Sequence, residues 1–335
     1  MSKLYNEEIK ERFLDEVYDN EQTKNTLRNL FHNSELEEYR NEKDLYSFNR
    51  DEIGDLLNHI NPHSRVVASS IGRYINRYHE WAAENGLRDQ LLPLHGVTNE
   101  WYNQFVDKTK KIHWAEDELY SEIIEKLDNA QDQALLSLIF EGILGKGFSE
   151  LKGILEKHIN WSKNEITITR DNEEKIIKLS DRTMRYLDNA IKDNTYRVFN
   201  SKTGDYNEKE LMSSDYLFKN VKSPRSKGGE PLSLQVFYNR MQSISERFEM
   251  DYLTPNSIRQ SGINYNVYLI AKEKIENGEE PEIGYDELAV VGEKYNASKM
   301  KQGQYLYFNT HLIREYCNEQ TLKELYDIDV VMTRR

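Results

Sequence analysis

The side chains best able to do chemistry in this sequence are cations, gathered in three places. Arg65, Arg73 and Arg77 recur at helical spacing. Lys108, Lys110 and Lys111 surround Thr109, and Lys219, Lys222, Arg225 and Lys227 follow one another with no acid between them. Such groups suit phosphate oxygens, which ammonium and guanidinium groups bind through charge-assisted hydrogen bonds. Each also has an ordinary reading. Glu80 and Glu84 stand where they can pair with Arg73 or Arg77 along one helix, the lysines around Thr109 suit a domain linker, and 219–227 suits a solvated loop. Other chemistries are poorly served. The eight histidines form no ligand cluster, and Pro62 disrupts the helical face that His59 and His63 would share, so no metal is expected. Gly142, Gly145 and Gly147 lack the spacing of a Walker loop or dinucleotide fingerprint, so no cofactor is expected either. Cys317, the single cysteine, cannot form an internal disulfide; it reads as a small hydrophobe on the last helix and fits a reducing cytoplasm.

The elements that must position these groups are mostly helical. A chain of 335 residues exceeds one ordinary core, so two domains are expected, with a boundary near 112/113. Only 16 Gly and 6 Pro punctuate it, which favours long helices over a β-sandwich. No apolar run is long enough for a membrane span, and the first residues lack the apolar stretch of a signal peptide. In the first 112 residues, Leu27, Leu30 and Phe31, then Ile53, Leu56, Leu57 and Ile60, stand at helical spacing. Val67, Ile71, Tyr74, Ile75, Tyr78 and Trp81 form one apolar stripe that ends at Asn85-Gly86. From His113 onward the pattern changes. An apolar helix opens at Asp132, and short strands are expected over 154–161, 165–170 and 174–179, with Asp171-Asn172 as a turn. Ser180 and Ser233 are placed to cap helices on either side of a loop-rich stretch, 194–232. The fold class is mainly α with a small three-stranded antiparallel sheet.

The net charge of −13 counts against nucleic acid as a partner, because phosphate contacts leave a basic footprint. The acidity is uneven, however. Residues 1–60 carry eight Lys/Arg against fifteen Asp/Glu, whereas residues 61–112 carry seven against five.

Two segments decide the reading. Leu144-Gly145-Lys146-Gly147-Phe148-Ser149-Glu150-Leu151 precedes the expected sheet, and Leu253-Thr254-Pro255-Asn256-Ser257-Ile258-Arg259-Gln260-Ser261-Gly262 opens a late helix. In this order they resemble the two motif boxes of the tyrosine recombinase (phage integrase) family, T-G-L-R-x-S-E-L and T-P-H-x-L-R-H. The resemblance covers about 20–320 and implies a helical core-binding domain, 1–112, before a catalytic-like domain, 113–335. Enzymes of that family attack a DNA phosphate with a tyrosine hydroxyl. Two arginines stabilise the phosphoryl charge, a hairpin lysine protonates the leaving oxygen, and histidines assist.

The departures from that pattern are as informative as the match. Gly147 stands where the first arginine belongs; a slip that brought in Lys146 conflicts with the Ser149-Glu150-Leu151 anchor, and lysine lacks the guanidinium fork. Asn256 replaces a histidine, while Arg259 is kept. Lys175 lies near the hairpin-lysine position. Glu293, after Val290-Val291-Gly292, occupies a place normally held by histidine or tryptophan, where an acid repels phosphate. Tyr305 is the candidate for the nucleophile position, with Tyr307 as the alternative. One lost donor typically costs on the order of 10²–10³ in rate, so several losses should leave no useful turnover.

The resemblance therefore implies a non-catalytic, double-stranded DNA-binding member of the kind that represses transcription and maintains prophage lysogeny. Phosphate contacts are expected from Arg65, Arg73, Arg77, Lys108, Lys110 and Lys111 in the first domain. Lys175, Lys222, Arg225, Lys227, Arg240 and Arg259 are expected to serve the second. The family's C-terminal segment often docks on a neighbouring subunit, so the last helix, with Leu312, Ile313, Tyr316, Leu322 and Leu325, is a candidate for self-association or for its own domain's packing. Two other readings stand beside this one. One is an active recombinase using Lys146; the other is an acidic accessory protein that binds a phage protein through residues 1–60. A regulatory protein partner fits the repressor reading.

Overall fold

Side-chain caps set where the helices of the N-terminal part begin. After α1 (Glu7–Val17), Asn20 accepts from the backbone N–H groups of Gln22 and Thr23 and starts α2 (Glu21–Asn41). Asn49 and Glu52 form a reciprocal capping box on α3 (Arg50–Ile60), and Ser64 caps α4 (Arg65–Glu84), which α5 (Asn99–Asn103) follows. The structure is a computed structural model that describes residues 4–89, 92–107, 112–199, 205–223, 229–250 and 252–333. Its chain divides into two compact units, Met1–Lys110 and Lys111–Arg335.

The core of the first unit is aromatic. Phe13, Leu27, Phe31, Ile53, Leu57, Ile75, Tyr78 and Trp81 are buried together, with the Tyr78 ring 4.7 Å from Phe13 and 5.1 Å from Phe31. Of the expected stripe on α4, Ile75, Tyr78 and Trp81 are fully in this core, while Val67, Ile71 and Tyr74 are half-buried. Behind it sits His79, which donates from Nε2 to the Leu45 carbonyl at 2.8 Å and has no partner for its buried Nδ1. Burial pushes the His79 imidazole down to about 3. Because its folded value lies below the unfolded one, stability present above the unfolded value of ~6.5 is lost as pH falls toward 3. Replacing His79 by Gln should therefore reduce the acid sensitivity of this unit, read as a smaller drop in melting temperature between pH 7 and pH 4. An unchanged pH profile would refute the assignment.

The second unit opens with α6 (Glu116–Glu122), α7 (Ala130–Phe140) and α8 (Ser149–Lys152). Next come β1 (Ile159–Asn160), β2 (Glu165–Arg170) and β3 (Glu173–Lys178), an antiparallel sheet in that order, with Ile166 opposite Ile177 and Ile168 opposite Lys175. The first strand is shorter than expected, because Glu156–His158 turns as a 3-10 helix instead of extending. Ser180 caps α9 (Asp181–Lys192) through the Thr183 N–H. The stretch read as loop contains a hairpin, β4 (Thr195–Phe199) and β5 (Tyr206–Glu210). Ser233 stands at the N-cap of α10 (Leu234–Arg247) but makes no side-chain cap bond. Thr254 and Ser257 cap α11 (Pro255–Glu276) reciprocally.

The C-terminal part comprises β6 (Glu282–Ile283), α12 (Tyr285–Lys294), β7 (Lys299–Gln302), β8 (Tyr305–Phe308), α13 (Thr310–Arg314), α14 (Glu319–Tyr326) and β9 (Val331–Met332). The expected last helix is thus two short ones, with the buried Cys317 in the bend between them and not within a helix. Burial pushes the Cys317 thiol up to about 12. Ile313, Cys317 and Leu322 pack with Ile263, Val267 and Ala271 of α11, and β9 pairs in parallel with β6. The apolar positions of the last helices are thereby engaged mainly within their own unit, although Leu312 remains exposed.

One glycine fixes how α7 and α11 cross. A Cβ on Gly262 would lie 1.9 Å from the Phe140 carbonyl oxygen, so only glycine permits this approach. Tyr295, at the end of α12, pins the same crossing by donating its hydroxyl to Phe140 O at 2.7 Å. No helix among the described residues is long and apolar enough to cross a membrane.

Candidate nucleic-acid interface

The inward face of β2 reads Ile166, Ile168, Arg170, and the charged member of that series organises the site. Arg170 is buried and donates to both Glu150 carboxylate oxygens, at 2.8 and 3.1 Å. It also donates to the carbonyls of Gly142 (3.1 Å), Glu293 (3.1 Å) and Lys294 (2.9 Å). One guanidinium thus ties the segment after α7, the first motif box and the last turn of α12. Glu150 completes the tie by accepting from the Leu144 N–H at 3.0 Å. The sequence holds a signal for this arginine, a charge on the buried face of an alternating strand.

The last turn of α12 is where the motif residues meet. Arg259, on the second turn of α11, donates from Nε and Nη2 to the Tyr295 carbonyl and from Nη2 to that of Asn296. Two of its three nitrogens are therefore engaged by a helix C-terminus, where carbonyls concentrate negative potential. Glu293 is exposed and lies 3.7 Å from Lys299 on β7. Lys175, the third residue of the hairpin strand β3, pairs with Glu173 at 3.0 Å. Its ammonium is held above the usual lysine range, first by the Glu173 hydrogen bond and, more weakly, by the Glu293 carboxylate. Asn256 is exposed one turn before Arg259.

Gly147 supplies no side chain at all. It sits at φ +61°, the left-handed region, in a tight turn flanked by Gly145 and Phe148, which also have positive φ. Lys146 beside it is exposed. Tyr305 lies on the β7–β8 hairpin, paired with Gln302, and is 61% exposed. Phe308 of the same hairpin lies against Gly292 of α12, which anchors the strand to the site. Lys299 and exposed Lys301 accompany it, two cations that the sequence reading missed.

The remaining cations divide clearly. In the first unit Arg73 is exposed and donates to Ser70 at 2.8 Å, Arg77 pairs with Glu80 at 3.3 Å, and Arg65 is half-buried at the start of the same helix. Lys222 is exposed and pairs with Glu210 at 3.0 Å. Arg240 corrects an expectation: it is 5% exposed, lies 3.6 Å from Asp132 and packs over the Tyr196 ring, so it does not offer its charge to the surface. The apolar face of α10 carries it inward, which its spacing from Phe237, Met241 and Ile244 already foreshadowed. Lys108, Lys110, Lys111, Arg225 and Lys227 lie outside the described residues. Among the described residues no group of three or more His, Cys, Asp or Glu is placed to hold a metal ion.

What this arrangement can do follows from its charges. Exposed cations around α12 and β7 can meet a polyanion, and the exposed Glu293 carboxylate stands among them. Preorganised stabilisation of a developing phosphoryl charge needs convergent donors, and here they are tied to carboxylates and carbonyls.

Comparison with known proteins agrees with this architecture. The family profile described as "MrpR, N-terminal core-binding domain" matches residues 4–84, and "MrpR, C-terminal catalytic domain" matches residues 113–327. The SPbeta prophage-derived protein YopR of Bacillus subtilis (strain 168) is 30% identical over 96% of this chain and 97% of its own length. Among solved structures, a lambda integrase dimer bound to a COC' core site matches with a TM-score of 0.50 and 11% identity, over 94% of this chain and 77% of that one. The Tn1549 transposon integrase in complex with circular intermediate DNA gives 0.46 and 12%, over 92% and 94%. The chain belongs to the MrpR family, built on the two-domain, mainly helical fold of the tyrosine recombinases.

Proposed function

We propose that this protein binds specific double-stranded DNA sites and represses transcription without cutting DNA, keeping a prophage silent. Its core-binding domain is 1–112 and its catalytic-like domain 113–335. The observation that carries the proposal is the last turn of α12, where Glu293 stands among Lys175 and Lys299 while Gly147 leaves the first arginine position bare. Cations that hold a duplex remain; the set that would stabilise cleavage does not. A prophage-derived relative and an integrase solved on its core site support the setting and the ligand.

Arg65, Arg73, Arg77, Lys175, Lys222 and Arg259 are the described residues assigned to phosphate. Since the half-buried Lys175 keeps 39% of its side chain accessible, Lys175→Glu should leave the fold intact, weaken binding to all sequences alike and reduce the salt slope by about 1. A change confined to one sequence would overturn its assignment. Tyr305→Phe tests the other half of the proposal. DNA affinity should fall by no more than about tenfold, the worth of one ordinary hydrogen bond, and neither protein should form a covalent adduct on nicked DNA. An adduct formed by the parent and lost in the variant would establish a working nucleophile.

A further inference from the structure

The buried Arg240 belongs to a second site, apart from the last turn of α12. A cavity of about 420 Å³ opens between the β4–β5 hairpin and α10. Asp132 of α7 and Arg240 line it, both at most 5% exposed. Asp132 accepts from the Tyr196 hydroxyl at 3.0 Å and from Asn129 Nδ2 at 3.0 Å, so its carboxylate is well occupied. Arg240 donates one Nη1 hydrogen bond to Gln131 Oε1 at 3.2 Å. Gln131 Oε1 also accepts from the Lys219 N–H at 3.0 Å, which fixes the orientation of the amide, and its buried Nε2 has no partner. An orphaned donor directly behind two lining residues is an expensive feature for a core that serves packing alone.

The charge around the cavity is one-sided. Arg197, Lys209, Lys219, Arg240 and Arg247 line it, Asp132 is the carboxylate among the lining residues, and Arg197 also pairs outward with Glu208 at 3.2 Å. Lys209 stands opposite Tyr196 in the hairpin register, which puts their side chains on one face. Lys219 is 7% exposed and its ammonium donates to the carbonyls of Ile191 and Asp193, so it is held in place. Arg247 is held by Asp128 and the Lys126 carbonyl. Lys219 is the buried cation among them whose ammonium meets carbonyl oxygens in place of a carboxylate, an arrangement that is costly unless something anionic fills the space. The volume falls within the range of roughly 300–1,000 Å³ usual for small-molecule sites.

We propose that this cavity binds a small phosphate-bearing ligand, of the size of pyrophosphate or a nucleoside monophosphate. Several cations set around a space, not one fork facing it, match a group that carries more than one negative charge. Such a ligand would sit beside β5, which Lys222 joins through Glu210, and so beside one of the cations assigned to DNA.

The test is calorimetric titration of the full chain with inorganic pyrophosphate and with adenosine monophosphate at constant ionic strength, repeated on Lys209→Glu. Lys209 is exposed, so the variant should fold, and an unchanged unfolding midpoint would verify that. The expected result is saturable binding of at least one probe, weakened at least ~10-fold by the variant, as loss of one charged contact implies. Absence of saturable heat with both probes would overturn the proposal, as would binding that the variant leaves unchanged. If the probes fail while Lys209→Glu weakens duplex binding, the cavity cations serve the DNA backbone and the small-ligand site is refuted. Duplex binding that survives the variant alongside lost probe binding supports it.

Discussion

Replacing Arg170 by Ala should lower the stability of the second unit by about 3–5 kcal/mol, because it leaves the buried Glu150 carboxylate without its cation. The carbonyls of Gly142, Glu293 and Lys294 would lose their donors in the same stroke. Lysine should rescue little: an ammonium cannot present the planar fork that meets both carboxylate oxygens and three carbonyls. A double change, Arg170→Met with Glu150→Leu, should cost less than Arg170→Ala, since it removes both charges together. Urea unfolding of the three variants would order them. A loss under about 1 kcal/mol for Arg170→Ala would mean that water reaches this pair, contrary to its burial. Under the proposed function the loss should reach DNA binding as well, because Arg170 holds the last turn of α12, whose terminal carbonyls also hold Arg259.

Lys10→Ala should have a comparable effect on the first unit. Lys10 is fully buried, 2.7 Å from Glu38 and 3.4 Å from Asp44, and it also donates to the Tyr5 carbonyl. Glu38 accepts further from Ser34 and the Leu45 N–H, and Asp44 from the Tyr78 hydroxyl at 3.0 Å. Without the ammonium, two buried carboxylates face each other, a loss of about 3–5 kcal/mol. Burial already raises the Glu38 carboxyl above its ordinary value, and Lys10 opposes that rise. Removing Lys10 raises it further. The folded chain then holds a proton that the unfolded chain releases, so the deficit of the variant should grow as pH rises above ~4.5. Melting temperatures at pH 5 and pH 8 would show the divergence. A deficit that shrinks toward pH 8 would contradict the network.

Much of the frame was legible in the sequence because it depends on local patterns. The stripe ending at Trp81, the Ser180 cap, the Asp171-Asn172 turn and the two motif boxes each act over a few residues, and the structure places them as read. Asp171 and Asn172 both adopt positive φ, as such a turn requires. The β4–β5 hairpin escaped notice because strand β5 is exposed throughout and so carries no apolar alternation. The β7–β8 hairpin is similarly short and exposed. Burial is a tertiary property, and the misreading of Arg240 follows from that. Its type suggested surface, but α10 turns it toward Asp132, a residue more than a hundred positions earlier. Arg170 showed only as a charge on the buried face of β2, and its partner Glu150 stands twenty positions earlier on another element, beyond any local pattern.

The most direct test of the central claim is a mobility-shift titration of the purified chain against fragments of the element that encodes it, with competitor DNA and increasing salt. The account predicts retention of a few fragments, no strand cleavage and no covalent band. It also predicts that affinity falls on the order of 10³-fold between about 50 and 200 mM salt, as release of several counterions requires. Failure to retain any fragment at low salt would contradict it, and so would a cleaved strand linked to Tyr305.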